Sequence, residues 1–532
     1  MRPRVVLAVA AVSLAGMVVL VGPGLWGAAS QERPISGGTL RLSPFNNQLN
    51  LELDPAKDSH VFLMQQLYDG LVRLDKDLLP TPALAEYWMI AEGGKKYTFY
   101  LRQGVRFHNG REFTAADVKF SLERLVDSKV NSPYAENFLG KVVGAQEFWD
   151  GKASEVTGFR VLDKYIFEVE WINPYVSGLY LLGMAYCKIL PKDQVQSQGH
   201  SFFLKPIGTG SFKFGYWMRN PRLDIIGIRL ERNNSYFDRR AYLDAVEFSP
   251  FFTFDDFMGG DVDIYPFVSE NFADKDCQIK DDGALNVVYL GMSCHLAPLS
   301  RLGVRKALAF GLDRRKLAKV SYTSESVPQL TDNFVPAKLK GFFPVTGEWD
   351  YNPEQARQLL SSEGFTMDKE FPTLVFYTNR ARREFGQKVY RELKDELEAL
   401  GIPLDHREYK TLREVRTARE PYLVLIEWRL NFPEPENVIR PLFFSRSDQN
   451  VVGYIDKRLD DALAAAELES SFSQRVGLFQ KIEKQLHQDL PAVPLFSNQL
   501  RMALQPYVKG VEVSPMGFFY LDLRKVWLDK ER

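Results

Sequence analysis

The segment richest in groups able to hold a ligand is Glu427-Trp428-Arg429-Leu430-Asn431-Phe432-Pro433-Glu434-Pro435-Glu436-Asn437. The apolar run from Tyr422 to Trp428 reads as a strand and passes directly into aromatic, charged and amide side chains interrupted by two prolines. Proline fixes φ, so groups near Trp428 would be held stiffly at a strand end, where α/β proteins bind ligands. Two other clusters invite a chemical reading. His108-Asn109-Gly110 with Thr114 and Asp117 sets a histidine near a carboxylate, but a glycine turn and a capped helix account for every residue type there. Ser293, Cys294 and His295 offer a nucleophile and a base, yet neighbours in an extended chain point to opposite faces and make a poor triad.

Other catalytic signatures are missing from the sequence. It has no G-x-S-x-G elbow, no H-E-x-x-H and no Walker loop, and its six histidines are scattered without paired metal spacing. Pro206-Ile207-Gly208-Thr209-Gly210 is glycine-rich but lacks the lysine of a phosphate loop and the third glycine of a dinucleotide turn. It reads as a crossover between lobes. Neither an enzyme nor a cofactor or resident metal is expected. The three cysteines, Cys187, Cys277 and Cys294, show no C-x-x-C; Cys277 and Cys294 could pair after export, or remain buried thiols.

The elements that would position these groups alternate between helix and strand, as in an α/β fold. Thr39 to Leu42 alternates polar and apolar residues, the period of a half-buried strand. Tyr97 to Leu101 and Val105 to Phe107 read as a hairpin around Gly104, with Asn109-Gly110 as the next turn. Thr114 caps a helix with Asp117 three residues on, and Phe113 and Val118 form a staple. Asn352-Pro353 opens another helix closed by Gly364, and Val389, Leu393, Leu397 and Leu400 form an apolar stripe ending at Gly401. Thr373 to Tyr377 is a further strand.

The chain has 532 residues, 45% hydrophobic and 25% charged, enough for about three domains with substantial cores. Lys plus Arg number 67 and Asp plus Glu 68, so no broad positive field is available for nucleic acid. Arg2 and Arg4 precede an uncharged stretch from Val5 to Val21, followed by Gly27, Ala28, Ala29 and Ser30. That order is an export signal, with cleavage expected near Ala29; retention as a membrane anchor is the alternative, given the length of the apolar stretch.

A longer pattern then emerges: Tyr68-Asp69-Gly70-Leu71-Val72, Pro82 to Trp88, Tyr97 to Arg102, Gly104 to Gly110 and Phe113 to Val118. It continues through Pro206 to Gly210, Arg232-Asn233 with Tyr236, Gly260 to Ile264, Val304 to Leu308 with Asp313-Arg314, and ends with Pro494-Leu495 and Gly510-Val511. In this joint order the chain resembles the peptide/nickel class of bacterial extracytoplasmic solute-binding proteins. The resemblance implies an α/β, two-lobed periplasmic binding protein fold of the large, three-domain type, with mixed sheets flanked by helices and a hinge between lobes. It places a signal or anchor at 1–30, a lobe 1 core in 37–67, 205–291 and 498–532, an extra domain of that lobe in 68–204, and lobe 2 in 292–497.

It also implies a monomeric periplasmic receptor that captures an oligopeptide or similar solute and delivers it to the membrane permease of an ABC importer with separate ATPase subunits. Its ligand-binding candidates are Trp428, Asn431, Glu427, Arg380 and Ser293. In the family the residue matching Asn431 is commonly an aspartate that pairs with the peptide amine; neutral Asn431 can hydrogen-bond an ammonium without neutralising it, with Glu427, Glu434 or Glu436 as substitutes. Arg380 matches a position where some relatives hold a ligand carboxylate, though Arg382 and Arg383 beside it also suit a solvated helix start. A nickel or haem receptor of the same fold and a membrane-anchored peptide sensor or chaperone are the other readings.

Overall fold

The computed structural model describes residues 33–43, 49–57, 60–266, 276–281, 285–321, 326–345, 347, 349–366 and 370–530. The export segment expected at 1–30 lies outside them. Residues 35 onward form one compact unit.

The chain enters with β1 (Thr39–Leu42) and the short helix α1 (Val61–Leu67). A local sheet follows from β2 (Ala85–Ala91), β3 (Lys96–Leu101), β4 (Phe159–Asp163) and β5 (Ile166–Glu170), with α2 (Ala115–Leu125) in the middle connection. The chain then returns through β6 (Phe212–Arg219), β7 (Ile225–Arg232), β8 (Ala245–Phe248), β9 (Ile264–Tyr265) and β10 (Gln278–Asp281). A helix-rich stretch carries β11 (Asn286–Met292), α3 (Leu302–Gly311), β12 (Ser326–Leu330), α4 (Pro353–Ser362), β13 (Leu374–Asn379) and α5 (Arg383–Glu398). It continues with β14 (Leu404–Tyr409), β15 (Tyr422–Arg429), α6 (Glu436–Phe443), α7 (Lys457–Leu468) and α8 (Phe472–Asp489) before the long strand β16 (Ala492–Leu504).

The main sheet has the order β14-β13-β15-β11-β16-β9-β1-β8-β7-β6, with β10 and β12 also paired to β16. β16 is the shared member: Val493 pairs with Leu290 of β11 at one end and Leu504 with Ile264 of β9 at the other. β1 runs parallel to β8, Leu40 beside Val246, so the start of the fold is fixed by a strand some two hundred residues later. Its alternating burial matches the sequence period. In β15, by contrast, Tyr422 to Ile426 are all buried, because both faces of that central strand are covered.

The smaller sheet has the order β2-β3-β5-β4 and packs α2 through Val118, Leu122 and Leu125 onto Phe99, Phe159 and Phe167. α2 begins as its sequence implies: Thr114 and Asp117 form the reciprocal capping box. β3 differs from expectation in its partner. It lies between β2 and β5, while Val105 to Phe107 folds back on residues 111–113 around the Asn109-Gly110 turn. Here the tight turn outranks Gly104 because the Phe107 N–H bonds to the Arg111 carbonyl at 2.8 Å and Gly110 adopts φ 87.

Asn352 caps α4 through the Gln355 N–H, and Gly364 beyond it takes φ +84. α5 presents Val389, Leu393 and Leu397 to Phe376 of β13 in a third core cluster, each large aliphatic side chain contributing about 1.5–3 kcal/mol by leaving water. The Pro206–Gly210 crossover passes so close to α1 that a Cβ on Gly208 would lie 1.9 Å from the Leu67 carbonyl oxygen. His108 locks this crossing: its Nδ1 accepts from the Gly208 N–H at 3.1 Å, and its Nε2 lies 3.0 Å from the Gly210 carbonyl. Burial depresses its pKa to about 4, so it is a neutral structural link. No disulfide joins Cys277 to Cys294.

Candidate functional site

A cavity of about 440 Å³ opens beside Phe248, Ile264 and Met502 of the main sheet, where four other parts of the chain converge. The end of β1 and the start of α1 supply Leu42, Ser43, His60 and Phe62; the smaller sheet's domain supplies Tyr134 and Tyr186. The end of β15 supplies Arg429, Leu430 and Asn431, and the C-terminal run supplies Met516 and Phe518 to Leu521. Such a volume suits a small-molecule or short-peptide ligand.

The β15 wall is held by one residue, Asn437. Asn437 Oδ1 accepts from the Asn431 backbone N–H at 2.6 Å, and the Asn437 carbonyl accepts from Trp428 Nε1 at 2.7 Å. The Leu430 N–H bonds to the Leu285 carbonyl at 3.0 Å, continuing the strand pairing past Arg429. With Pro433 and Pro435 restricting the loop, Asn431 is presented exposed on the wall.

The cavity's electrostatics are simple. Among its described lining residues Arg429 is the sole lysine, arginine, aspartate or glutamate, and its guanidinium lies 5.4 Å from the Phe519 ring centroid. No carboxylate is among them. Burial pushes the His60 pKa down to about 4, and its Nε2 accepts from the Asn50 N–H at 2.8 Å, so it serves as a neutral acceptor.

Glu434 and Glu436 face away from the cavity, into a buried polar seam. Glu436 accepts from Lys141 Nζ at 3.0 Å and from Ser177 Oγ at 3.2 Å. Glu434 pairs with Arg475, which also donates to Ser177 Oγ at 2.9 Å. Burial pushes the Glu434 carboxyl up to about 7 despite Arg475. Burial acts in the same direction on Glu436, but the neighbouring Lys141, Arg440 and Arg475 outweigh it and hold that carboxyl below its ordinary range.

Of the five residues singled out in the sequence, Asn431 alone lines this cavity. Trp428, on the opposite face of β15, packs against the core and anchors Asn437. Glu427 is exposed and pairs with Arg382 at 2.8 Å. Arg380 is exposed beyond β13, 3.8 Å from Glu408. Ser293 is fully buried, and its Oγ accepts from the Tyr422 N–H at 2.9 Å, fastening the end of β11 to the start of β15. Sequence reasoning missed the aromatic wall of Tyr134, Tyr186, Phe518, Phe519 and Tyr520. The run Met516-Gly517-Phe518-Phe519-Tyr520 carried a signal, since aromatics clustered after a glycine near a chain end are unusual surface residues.

Comparison with known proteins agrees with this architecture. The periplasmic oligopeptide-binding protein OppA of Salmonella typhimurium (strain LT2) is 26% identical over 482 residues, covering 86% of this chain and 87% of OppA. Heme-binding protein A of Haemophilus influenzae is 25% identical over 480 residues, covering 85% and 86% respectively. The unliganded open form of the periplasmic murein tripeptide binding protein MppA superposes with a TM-score of 0.79 at 23% identity, over 93% of this chain and 98% of MppA. The fold is therefore the two-lobed one of periplasmic binding proteins. Residues 80–450 match the family described as bacterial extracellular solute-binding proteins, family 5 (middle), and the chain belongs to that family.

Proposed function

We propose that the chain is the receptor of an ABC-type importer, capturing an oligopeptide-like solute in the 440 Å³ cavity and passing it intact to a membrane permease. The observation that carries this reading is the construction of the cavity from distant stretches: the β1–α1 region, the β15 end and the C-terminal run meet only in the folded protein, so moving one wall opens or closes it. The lobes are 37–67 with 68–204, 205–291 and 498–532 on one side, and 292–497 on the other. Asn431 contacts the solute, while Trp428 and Ser293 position its strand. Glu427 and Arg380, exposed and ion-paired outside this cavity, would meet only ligands that extend beyond it. The receptor works as an exported monomer in the periplasm and makes or breaks no bond in its cargo.

Aromatic walls and the lack of a lining carboxylate among the described residues favour a second reading, an apolar non-peptide solute such as a porphyrin or steroid acid. Native mass spectrometry of protein purified from its own periplasm tests both. A series of peptide masses supports the first, one non-peptide mass the second. No retained small molecule, with no calorimetric heat for peptide or haem, would overturn the receptor reading.

A further inference from the structure

A second cavity, of about 380 Å³, lies behind the C-terminal run and shares Met516, Tyr520 and Leu521 with the first as a common wall. Its remaining lining is rich in charged side chains of both signs, and nearly every charge in it is satisfied. Asp69 accepts from Tyr236 OH at 2.9 Å and from Thr209 Oγ1 at 3.0 Å. Asp522 takes Arg524 through both oxygens, at 2.8 and 2.6 Å. Glu512 takes Lys525 at 2.7 Å, Asp77 takes Lys76 at 2.9 Å, and Asp75 accepts from the backbone of Asp77 and Leu79.

Lys188 is the exception. It is 5% exposed, on a buried run between Cys187 and Leu190, and lines this cavity; among the described residues its ammonium has no hydrogen-bond or ion-pair partner. Charges shielded from bulk water are ordinarily paired, and an ammonium facing a cavity has three N–H donors to satisfy. Asp69 is near enough to act on it electrostatically, but both of that carboxylate's oxygens are engaged elsewhere. Arg73 and Arg524, which converge on Asp238, add further positive charge at the cavity wall. Burial, reinforced by these two guanidinium groups and opposed by Asp69, brings the Lys188 pKa down to about 8, so a bound anion would also secure its proton.

We propose that this second cavity is a binding site for a compact oxyanion, a carboxylate or phosphate group, held by Lys188 with Arg73 and Arg524 at its flanks. An oxyanion there supplies a charged acceptor for the ammonium, in a pocket whose own carboxylates are occupied. The wall shared with the first cavity makes occupancy of one felt by Met516, Tyr520 and Leu521 in the other.

The test uses the full exported chain with sodium phosphate and sodium acetate as probes, titrated calorimetrically at pH 7 against a chloride background of equal ionic strength. Saturable binding is expected, weakened about tenfold or more in Lys188→Met, the loss of a charge-assisted hydrogen bond. Phosphate binding without acetate binding assigns a free phosphate-type ion, and binding of both assigns a carboxylate-tolerant site. Thermal unfolding of the wild type supplies a readout independent of the variant's folding: phosphate should raise Tm over chloride. Equal Tm in both salts with no saturable heat, or unchanged affinity in a folded Lys188→Met, overturns the proposal.

Discussion

The Lys141 ammonium donates to Glu436 Oε1 at 3.0 Å, bridging residues 295 apart in sequence and joining the smaller sheet's domain to the N-terminus of α6. The same Nζ lies 4.6 Å from the Tyr175 ring centroid and donates to the Tyr175 hydroxyl at 3.0 Å, so the cation is enclosed by carboxylate and tyrosine together. Removing one partner strands a buried charge. Lys141→Met should therefore destabilise the protein by about 3–5 kcal/mol, whereas Lys141→Met with Glu436→Gln should recover much of that loss. Urea denaturation of both variants measures the difference. Because Glu436 titrates below its unfolded value, the stability it contributes is present above the unfolded pKa and disappears as pH falls through the depressed one. The single variant should thus lose part of the wild type's acid sensitivity between neutral pH and pH 3.

Glu396, on the buried face of α5, has the opposite sign. Burial pushes its carboxyl up to about 7, against the Asp313 N–H that its Oε2 accepts at 3.0 Å. The folded state then holds this proton more tightly than the unfolded chain, so its contribution is full below about pH 4.5 and is lost as pH rises towards 7. Glu396→Gln should flatten that part of the stability profile and melt higher than wild type at pH 8. A parallel profile in calorimetric scans would contradict the assignment.

Asn431→Asp places a carboxylate on the cavity wall, which lacks one among its described residues. Affinity for peptides with a free amino terminus should rise about tenfold, since an ionic hydrogen bond is roughly twice as strong as a neutral one. N-acetylated peptides should gain nothing. Comparing the two peptide forms by fluorescence titration isolates the amine's contribution.

Trp428→Ala removes the indole that holds the Asn437 carbonyl, and with it the anchor of the Asn431 backbone. Solute affinity should fall several-fold while the circular dichroism spectrum is retained. Stability should fall about 2–4 kcal/mol from the loss of a partly buried aromatic. An unchanged dissociation constant would remove the strand end from the site.

Local structure was readable wherever neighbouring residues decide it. The capping box of Thr114 and Asp117, the Asn352-Pro353 start and the β1 alternation depend on side chains within a few positions, and each forms as written. Pairing was less readable: β3 was recognisable as a strand, but its partners are chosen by the pattern of Phe99, Phe167 and Val169 in a shared core. The site divides in the same way. The β15 loop announced itself through its prolines and amides, whereas Phe518 to Tyr520 reach the cavity only because the chain after β16 wraps back beside α1. Glu434 and Glu436 show why direction could not be read: their destinations, Arg475 and Lys141, lie in other parts of the fold.

β16 also dictates when this molecule can come into being. It pairs with β9 and β10 on one side of the molecule and with β11 and β12 on the other, and begins only at Ala492. A ribosome still holding Ala492 to Leu504 therefore holds the strand that completes both halves of the sheet. Until those residues are free to pair, neither half of the sheet has its shared strand and both cores stay unfinished, the kind of long-range pairing that folds late.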